Sequence, residues 1–242
     1  NYYFQFTLTS YQVDVEKKVP SKGKQIISTF KKLSDLIGPE KVIWRYDPIL
    51  LNKKYTIEYH LKNYEKLAKV LSGYTDKCII SFLDFYSKTT KNLKDLDVEN
   101  FDYEKIIIIA KKIAEIAKKY NLKIETCAEK YELENFGIKH AHCIDSELIE
   151  KIVNCKLNLK KDKNQRVECG CVQSVDIGAY NTCQNGCKYC YANYNFETVN
   201  KNCSNYHKES AILCDKINPN LDRIVERKVE SLKIRQSKFN FD

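Results

Sequence analysis

Short apolar segments alternate with longer amphipathic segments along most of the chain. Each short segment is bounded by turn-forming or charged residues, a pattern typical of buried strands. The amphipathic segments place apolar residues three or four positions apart, as one buried helix face requires. The predicted strands are Tyr3–Leu8, Val42–Tyr46, Cys78–Leu83, Ile124–Cys127 and Val172–Ile177. The predicted helices are Lys24–Ile37, Glu58–Leu71, Asp102–Tyr120, Ser146–Val153 with Asp145 or Ser146 as its cap, and a charged C-terminal Leu221–Gln236.

Strands that alternate with helices of this length predict right-handed βαβ units and a parallel sheet. We therefore expect the α/β class, with a whole or partial parallel βα barrel. We assign residues 1–155 to the barrel portion, and residues 156–242 to the last strand, a cysteine-rich loop and the C-terminal helix of the same domain. The chain opens inside an apparent strand and contains no methionine, so we expect an N-terminal part to be missing.

Polar residues follow several of the predicted strands, where ligands gather in parallel α/β proteins. These positions are Thr7 and Thr9, Arg45 and Asp47, Asp84, Cys127 and Glu129, and the loop after Ile177. Charged side chains beside a buried strand are costly unless they are paired or bound to a ligand. For Arg45 and Asp47 two interpretations stay open, an internal brace or a contact with substrate or cofactor.

Composition fits a soluble globular protein, with 43% hydrophobic and 30% charged residues and no apolar run long enough to span a membrane. The net charge of +9 is spread along the chain, which favours a solvated surface over a nucleic-acid interface. Eleven cysteines, most of them after residue 140, favour metal ligation in a reducing compartment over disulfides. We therefore expect a cytoplasmic protein without a membrane partner. Nucleic acid is a possible partner, and only the positive net charge favours it.

Three cysteines, Cys183, Cys187 and Cys190, have the spacing C-x3-C-x2-C after the last predicted strand. Three thiolates on one tight loop can each bind a different iron of a 4Fe–4S cluster and leave the fourth iron open. Gly186 would let the backbone pass close to such a cluster. The alternative is a zinc site, which would need a fourth ligand from Cys169, Cys171, Cys203 or His207.

A second metal or cluster could use four further cysteines, Cys127, Cys143, Cys169 and Cys171. The first two lie near strand or loop ends, and the last two directly precede the last predicted strand. The alternative for Cys127 and Cys143 is that they are small buried hydrophobic residues.

The cysteine loop resembles the C-x3-C-x-aromatic-C signature of the radical S-adenosylmethionine superfamily, with Tyr189 at the aromatic position. The resemblance implies a 4Fe–4S cluster, S-adenosylmethionine chelated by its open iron, and Tyr189 against the adenine. It also implies a ferredoxin or flavodoxin as electron donor and hydrogen abstraction from an unknown substrate. Arg45 and Asp47 are candidate cofactor contacts. Two features depart from the superfamily: the loop follows the last strand, which a circular permutation would reconcile, and no Gly-Gly pair exists.

Over most of its length the chain also resembles a bacterial family named domain of unknown function 1848. The matching segments are Phe4–Thr7, Trp44–Ile49, Ser81–Asp84, Cys127–Glu129, Cys143–Asp145 and Cys169–Asn193. That family carries a radical-type cysteine cluster near its C-terminus, so the resemblance supports the cofactor more than any reaction. A non-catalytic iron–sulfur or zinc-binding protein is the alternative function.

Overall fold

One parallel sheet organises the protein, whose computed structural model describes residues 1–85, 87–226 and 230–234. Its five strands lie in the order β1-β2-β3-β4-β5, so each strand pairs with its neighbours in the chain. The strands are β1 (Phe4–Thr7), β2 (Val42–Ile49), β3 (Lys77–Phe82), β4 (Lys123–Thr126) and β5 (Lys139–His140). The helices are α1 (Ile27–Ile37), α2 (Ile57–Leu71), α3 (Ser87–Leu93), α4 (Tyr103–Lys119), α5 (Ser146–Val153) and α6 (Phe196–Ser204). The expected α/β class with a parallel sheet is confirmed.

The main core lies between the sheet and helices α1, α2 and α4. Side chains alternate across each strand, so Trp44, Cys78 and Ile124, which are aligned on neighbouring strands, all face these helices. Trp44 is fully buried and stacks on Tyr64 of α2 with ring centroids 4.9 Å apart. This layer fixes the strand register, because a shift of one residue would turn Trp44 to the other face.

The opposite face of the sheet is concave. The Tyr3 hydroxyl, just before β1, donates to the carbonyl of Cys143, which follows β5, at 2.6 Å. The Gln5 amide on β1 donates to the same carbonyl. These bonds join segments beside the two edge strands, so the sheet curves until its edges approach one another. A small apolar cluster of Ile43, Ile79 and Ala141 fills the inside of this curve.

Side-chain caps explain where several helices begin. Thr56 and Asp102 accept hydrogen bonds from the backbone amides at the starts of α2 and α4. Asp145 caps α5, one of the two caps that the sequence offered. Gly38, with a φ of +96°, ends α1 in a conformation that residues with a Cβ rarely adopt.

Two predicted elements are wrong. Val172–Ile177 is not a strand: among the described residues, only Val172 of this segment forms a bridge, to Lys161, and Ile177 is 87% exposed. The fifth strand is Lys139–His140 instead. The C-terminal helix Leu221–Gln236 is not formed over residues 221–226 or 230–234, where Leu221 and Ile224 are exposed and thus lack the packing that stabilises a helix. Residues 227–229, 235 and 236 of that prediction lie outside the described residues.

Helices α3 and α6 were not predicted, because both are short and α6 has only Phe196, Val199 and Cys203 on its apolar face. Within the described part of the chain, no helix has the length and apolar character needed to cross a membrane.

His60, on α2, makes the fold sensitive to acid. Its Nε2 lies 2.8 Å from the Leu50 carbonyl and its Nδ1 lies 2.9 Å from the Tyr46 hydroxyl. Burial lowers the pKa of His60 from 6.5 to about 4, only partly opposed by the bond to Leu50. The unfolded chain therefore takes up a proton before the folded one does, and stability present above pH 6.5 is lost as the pH falls towards 4.

We expect chemical denaturation to show a loss of about 2 to 3 kcal/mol from this group between pH 7 and pH 4.5. The variant His60→Gln should be less stable at pH 7 but lose less on acidification than the parent protein. An identical loss in both proteins would show that His60 does not titrate in this range.

Candidate functional site

The cysteine loop, residues 183–190, lies against the segment that follows β1. The Lys188 amide donates to the Val15 carbonyl at 2.9 Å, and the Lys18 amide donates to the Asn185 carbonyl at 2.9 Å. The loop is distant from β1 in the chain but sits beyond the carboxyl end of that strand in space. Ligands of parallel α/β folds bind at this edge of the sheet.

Local bonds give the loop its turn. The Cys190 amide donates to the Cys187 carbonyl at 3.1 Å, and the Asn193 side-chain amide donates to the Cys183 carbonyl at 2.7 Å. Gly186 has a φ of +63°, a conformation that a side chain would strain, so glycine serves the turn itself. The three cysteines therefore lie on one closed and anchored turn.

Glu16, in the segment that follows β1, contacts this turn at Cys187 and Tyr189. It is 4% exposed and forms an isolated antiparallel bridge with Cys187. The hydroxyl of Thr9 donates to Glu16 Oε1 at 2.6 Å, and the ammonium of Lys22 lies 2.5 Å from Oε2. The hydroxyl of Tyr189 also donates to Oε1. A buried carboxylate with three such partners ties the loop to the segment after β1.

Burial and the negative charge of Glu16 together raise the pKa of Cys187 to about 11. The hydrogen bond from Tyr189 lowers this pKa, but by less than Glu16 raises it. Cys190 and Cys183 are close enough to add to this effect. As a free thiol Cys187 is therefore protonated at neutral pH, and a bound metal would have to displace its proton.

The donor chemistry of the loop fits an iron–sulfur cluster, since three cysteines share one anchored turn with the required spacing. The thiols do not converge on one point, however. Across residues 1–85, 87–226 and 230–234, no group of three or more His, Cys, Asp or Glu side chains is arranged to hold a metal ion. The metal site at Cys183, Cys187 and Cys190 thus stays a prediction.

A second pair of thiols lies on the concave side of the sheet. Cys127 directly follows β4 and Cys143 follows β5, and their Sγ atoms are 3.4 Å apart. Arg45 Nη1 donates to Cys143 Sγ at 2.9 Å. The structure therefore brings together two of the four residues of the predicted second metal site, beside the Arg45 guanidinium, whose charge acts on both thiols.

Arg45 is held by a brace. Its Nε donates to both carboxylate oxygens of Asp47, at 3.0 and 3.1 Å, and its Nη1 also donates to the Gln5 side chain. Burial alone would lower the pKa of Arg45, but hydrogen bonding to Asp47 and its charge more than offset this, and the pKa is raised. Of the two interpretations of Arg45 and Asp47, the structure shows the internal brace. Their contact with a cofactor stays a prediction.

The thiols of the pair differ electrostatically. The hydrogen bond from Cys127 lowers the pKa of Cys143, and the Arg45 charge lowers it further against the effect of burial. The pKa of Cys127 is raised, first by its bond to Cys143 and then by burial. Cys143 is therefore the more acidic thiol of the pair.

Cys169 and Cys171 lie beside this pair. The Ile144 amide, next to Cys143 in the chain, donates to Cys171 Sγ at 3.3 Å. Burial raises the pKa of Cys171, which also interacts with Cys169. A Cβ at Gly170 would lie 2.5 Å from the His142 ring, so a side chain between the two cysteines would displace His142. A second metal site that uses all four cysteines, Cys127, Cys143, Cys169 and Cys171, stays a prediction.

A cleft of about 400 Å³ opens beyond the ends of β3 and β4. Glu129 lines it, 7% exposed, with Oε1 accepting the Phe82 amide at 2.8 Å. Burial, together with the charge of Asp84, raises the pKa of Glu129 to about 7. The hydrogen bond from the Phe82 amide lowers this pKa and offsets part of the rise. Arg166 lies 2.6 Å from the Asp84 carboxylate at the rim. Two predicted polar positions thus share one cleft at the ligand-binding edge.

Comparison with protein families gives one result: the model of the family described as Domain of unknown function (DUF1848) matches residues 1–192. The chain belongs to the DUF1848 family. No curated protein and no solved structure gives a significant match.

The DUF1848 match covers the sheet, both cysteine groups and the cleft, and it ends two residues after Cys190. Helix α6 and two further cysteines, Cys203 and Cys214, lie beyond it. Cys203 is on α6, where its thiol faces the Thr182 carbonyl at 3.7 Å. His207, considered above as a fourth zinc ligand, is exposed. The matched region therefore contains every residue that the following proposals use.

Sequence reasoning missed Glu16 altogether. It lies in a polar segment of mixed charge, where no motif distinguishes it from its neighbours. The partner that links it to the cysteine loop, Tyr189, is 173 positions away in the chain. A signal for Glu16 exists only in the tertiary structure.

Proposed function

We propose that this DUF1848 protein is a radical S-adenosylmethionine enzyme that binds a 4Fe–4S cluster through Cys183, Cys187 and Cys190. The observation that carries the proposal is the C-x3-C-x2-C turn, anchored beyond the carboxyl end of β1. When bound and reduced by a ferredoxin or flavodoxin, such a cluster supplies the electron that cleaves S-adenosylmethionine to methionine and a 5′-deoxyadenosyl radical.

The placement of the loop beside β1 supports the circular-permutation interpretation. In the superfamily the cysteine loop follows the first barrel strand, whereas here it lies late in the sequence yet packs on the segment after β1. The curved sheet, whose edges approach through Tyr3 and Cys143, supports a partial barrel as the scaffold. A location in the cytoplasm, where such clusters stay reduced, belongs to this proposal.

The chain's own residues would position the reactants. Glu16 fixes the turn through the bridge to Cys187 and the bond from Tyr189. The cleft lined by Asp84 and Glu129 lies along the same edge of the sheet and could admit a substrate.

The direct test is product formation. Protein reconstituted with iron and sulfide without oxygen, then mixed with dithionite and S-adenosylmethionine, should release 5′-deoxyadenosine. The variant Cys183→Ser, prepared in parallel, should release none. A reduced, iron-loaded parent protein that forms no 5′-deoxyadenosine would refute the enzymatic function.

The burial of Tyr189 favours a second candidate, a non-catalytic iron–sulfur or zinc-binding protein. Its ring packs near Tyr11, with centroids 5.9 Å apart, and its hydroxyl is bound to Glu16, so structural contacts already account for much of this side chain. Metal analysis and electron paramagnetic resonance together separate the candidates. Stoichiometric zinc without sulfide, or a cluster whose spectrum ignores S-adenosylmethionine, would favour the second.

A further inference from the structure

The pair Cys127 and Cys143 has a geometry that the proposed radical chemistry does not use. The two residues follow neighbouring strands, and their sulfur atoms are 3.4 Å apart although no disulfide joins them. Both side chains are only partly buried, so a small reagent can approach them. Formation of a bond would require the sulfur atoms to move closer by little more than 1 Å.

The surroundings distinguish the two sulfur atoms. Arg45 donates to Cys143 Sγ, and the bonds to Asp47 and Gln5 hold its guanidinium in that direction. Cys127 has Cys143 as its sulfur neighbour. A guanidinium that donates directly to one thiol of a close pair makes that thiol the better nucleophile and leaves the other to resolve the intermediate.

We propose that Cys127 and Cys143 form a redox-active dithiol, which is oxidised to a reversible disulfide by exchange with a small-molecule disulfide such as oxidised glutathione. This function goes beyond the proposed cluster and needs neither metal nor S-adenosylmethionine. It places a thiol switch inside the curve of the sheet, next to the cleft that contains Glu129.

The exchange runs in two balanced steps. The Cys143 thiolate attacks one sulfur of the small disulfide, forms a mixed disulfide and releases one small thiolate. Cys127 then loses its proton, and its thiolate attacks Cys143 Sγ, which forms the protein disulfide and releases the second small thiolate. The two released thiolates take up the two protons lost by the cysteines, and two electrons pass from the cysteines to the small disulfide.

The test uses the full chain, reduced without oxygen and then exposed to oxidised glutathione. Remaining thiols are alkylated, and the peptides are mapped by mass spectrometry. We expect a cross-link between the peptides of Cys127 and Cys143, two hydrogens lighter than the reduced pair and reversed by dithiothreitol. The variant Cys127→Ser should instead retain glutathione on Cys143. The variant Cys155→Ser, which changes a cysteine outside the pair, should behave as the parent protein does.

A second measurement addresses Arg45. Alkylation of Cys143 by iodoacetamide should be several-fold slower in Arg45→Gln than in Arg45→Lys, which keeps the positive charge. Two results would overturn the proposal. One is that Cys127 and Cys143 stay independent thiols in the parent protein under oxidised glutathione. The other is that purified parent protein holds a stoichiometric metal that Cys127→Ser removes and Cys183→Ser does not.

Discussion

Replacing Cys187 by serine is expected to remove the iron–sulfur cluster and all cleavage of S-adenosylmethionine. Two thiolates would remain on the turn, and a cluster that already relies on only three protein ligands would lose one of its corners. Iron and sulfide in the reconstituted protein should fall from about four of each per chain to near zero. Iron and sulfide analysis with the 5′-deoxyadenosine assay measures both effects.

The control for this variant is Cys214→Ser. Cys214 lies beyond the family match and outside the cysteine loop, so its variant should keep the full cluster content. If Cys187→Ser retains the cluster while Cys214→Ser loses it, the ligands have been assigned to the wrong segment.

Replacing Glu16 by alanine should destabilise the protein by about 3 to 5 kcal/mol, the range observed when one partner of a buried ion pair is removed. The ammonium of Lys22 would lose its carboxylate, and the hydroxyls of Thr9 and Tyr189 would lose their acceptor. The pKa of Cys187 should also fall, because the charge of Glu16 raises it. Urea denaturation gives the first effect, and the pH dependence of Cys187 alkylation gives the second.

Asp95→Ala is the matched control for Glu16. Asp95 also pairs with the cysteine loop, through Lys188, but its side chain is 69% exposed. Water replaces such a partner at little cost, so we expect a small effect on stability. Equal destabilisation by Glu16→Ala and Asp95→Ala would contradict the buried role of Glu16.

The first four strands could be predicted because apolar residues mark each of them in the sequence. β2 and β3 are largely buried, whereas β1 and β4 are buried only in part. β5 could not be predicted, since Lys139–His140 has no apolar run and forms only by pairing with β4. Val172–Ile177 shows the reverse error. Its apolar residues resemble a strand, but local pattern says nothing about whether a neighbouring strand is available.

The candidate site was predictable only where its chemistry is local in sequence. The spacing of Cys183, Cys187 and Cys190 is visible in one segment, and the charged pair Arg45 and Asp47 is conspicuous beside a buried strand. Two other features depend on how the sheet curves. They are the contact of Cys127 with Cys143 and the attachment of the cysteine loop to the segment after β1. Such long-range contacts leave no periodic signal in a single sequence.

The electron paramagnetic resonance spectrum of the reduced, reconstituted protein tests most directly whether one iron is open. If Cys183, Cys187 and Cys190 are the sole protein ligands, adding S-adenosylmethionine should change the cluster signal, and the change should disappear in Cys187→Ser. A full cluster whose signal ignores S-adenosylmethionine would contradict the account, as would a site closed by a fourth protein ligand.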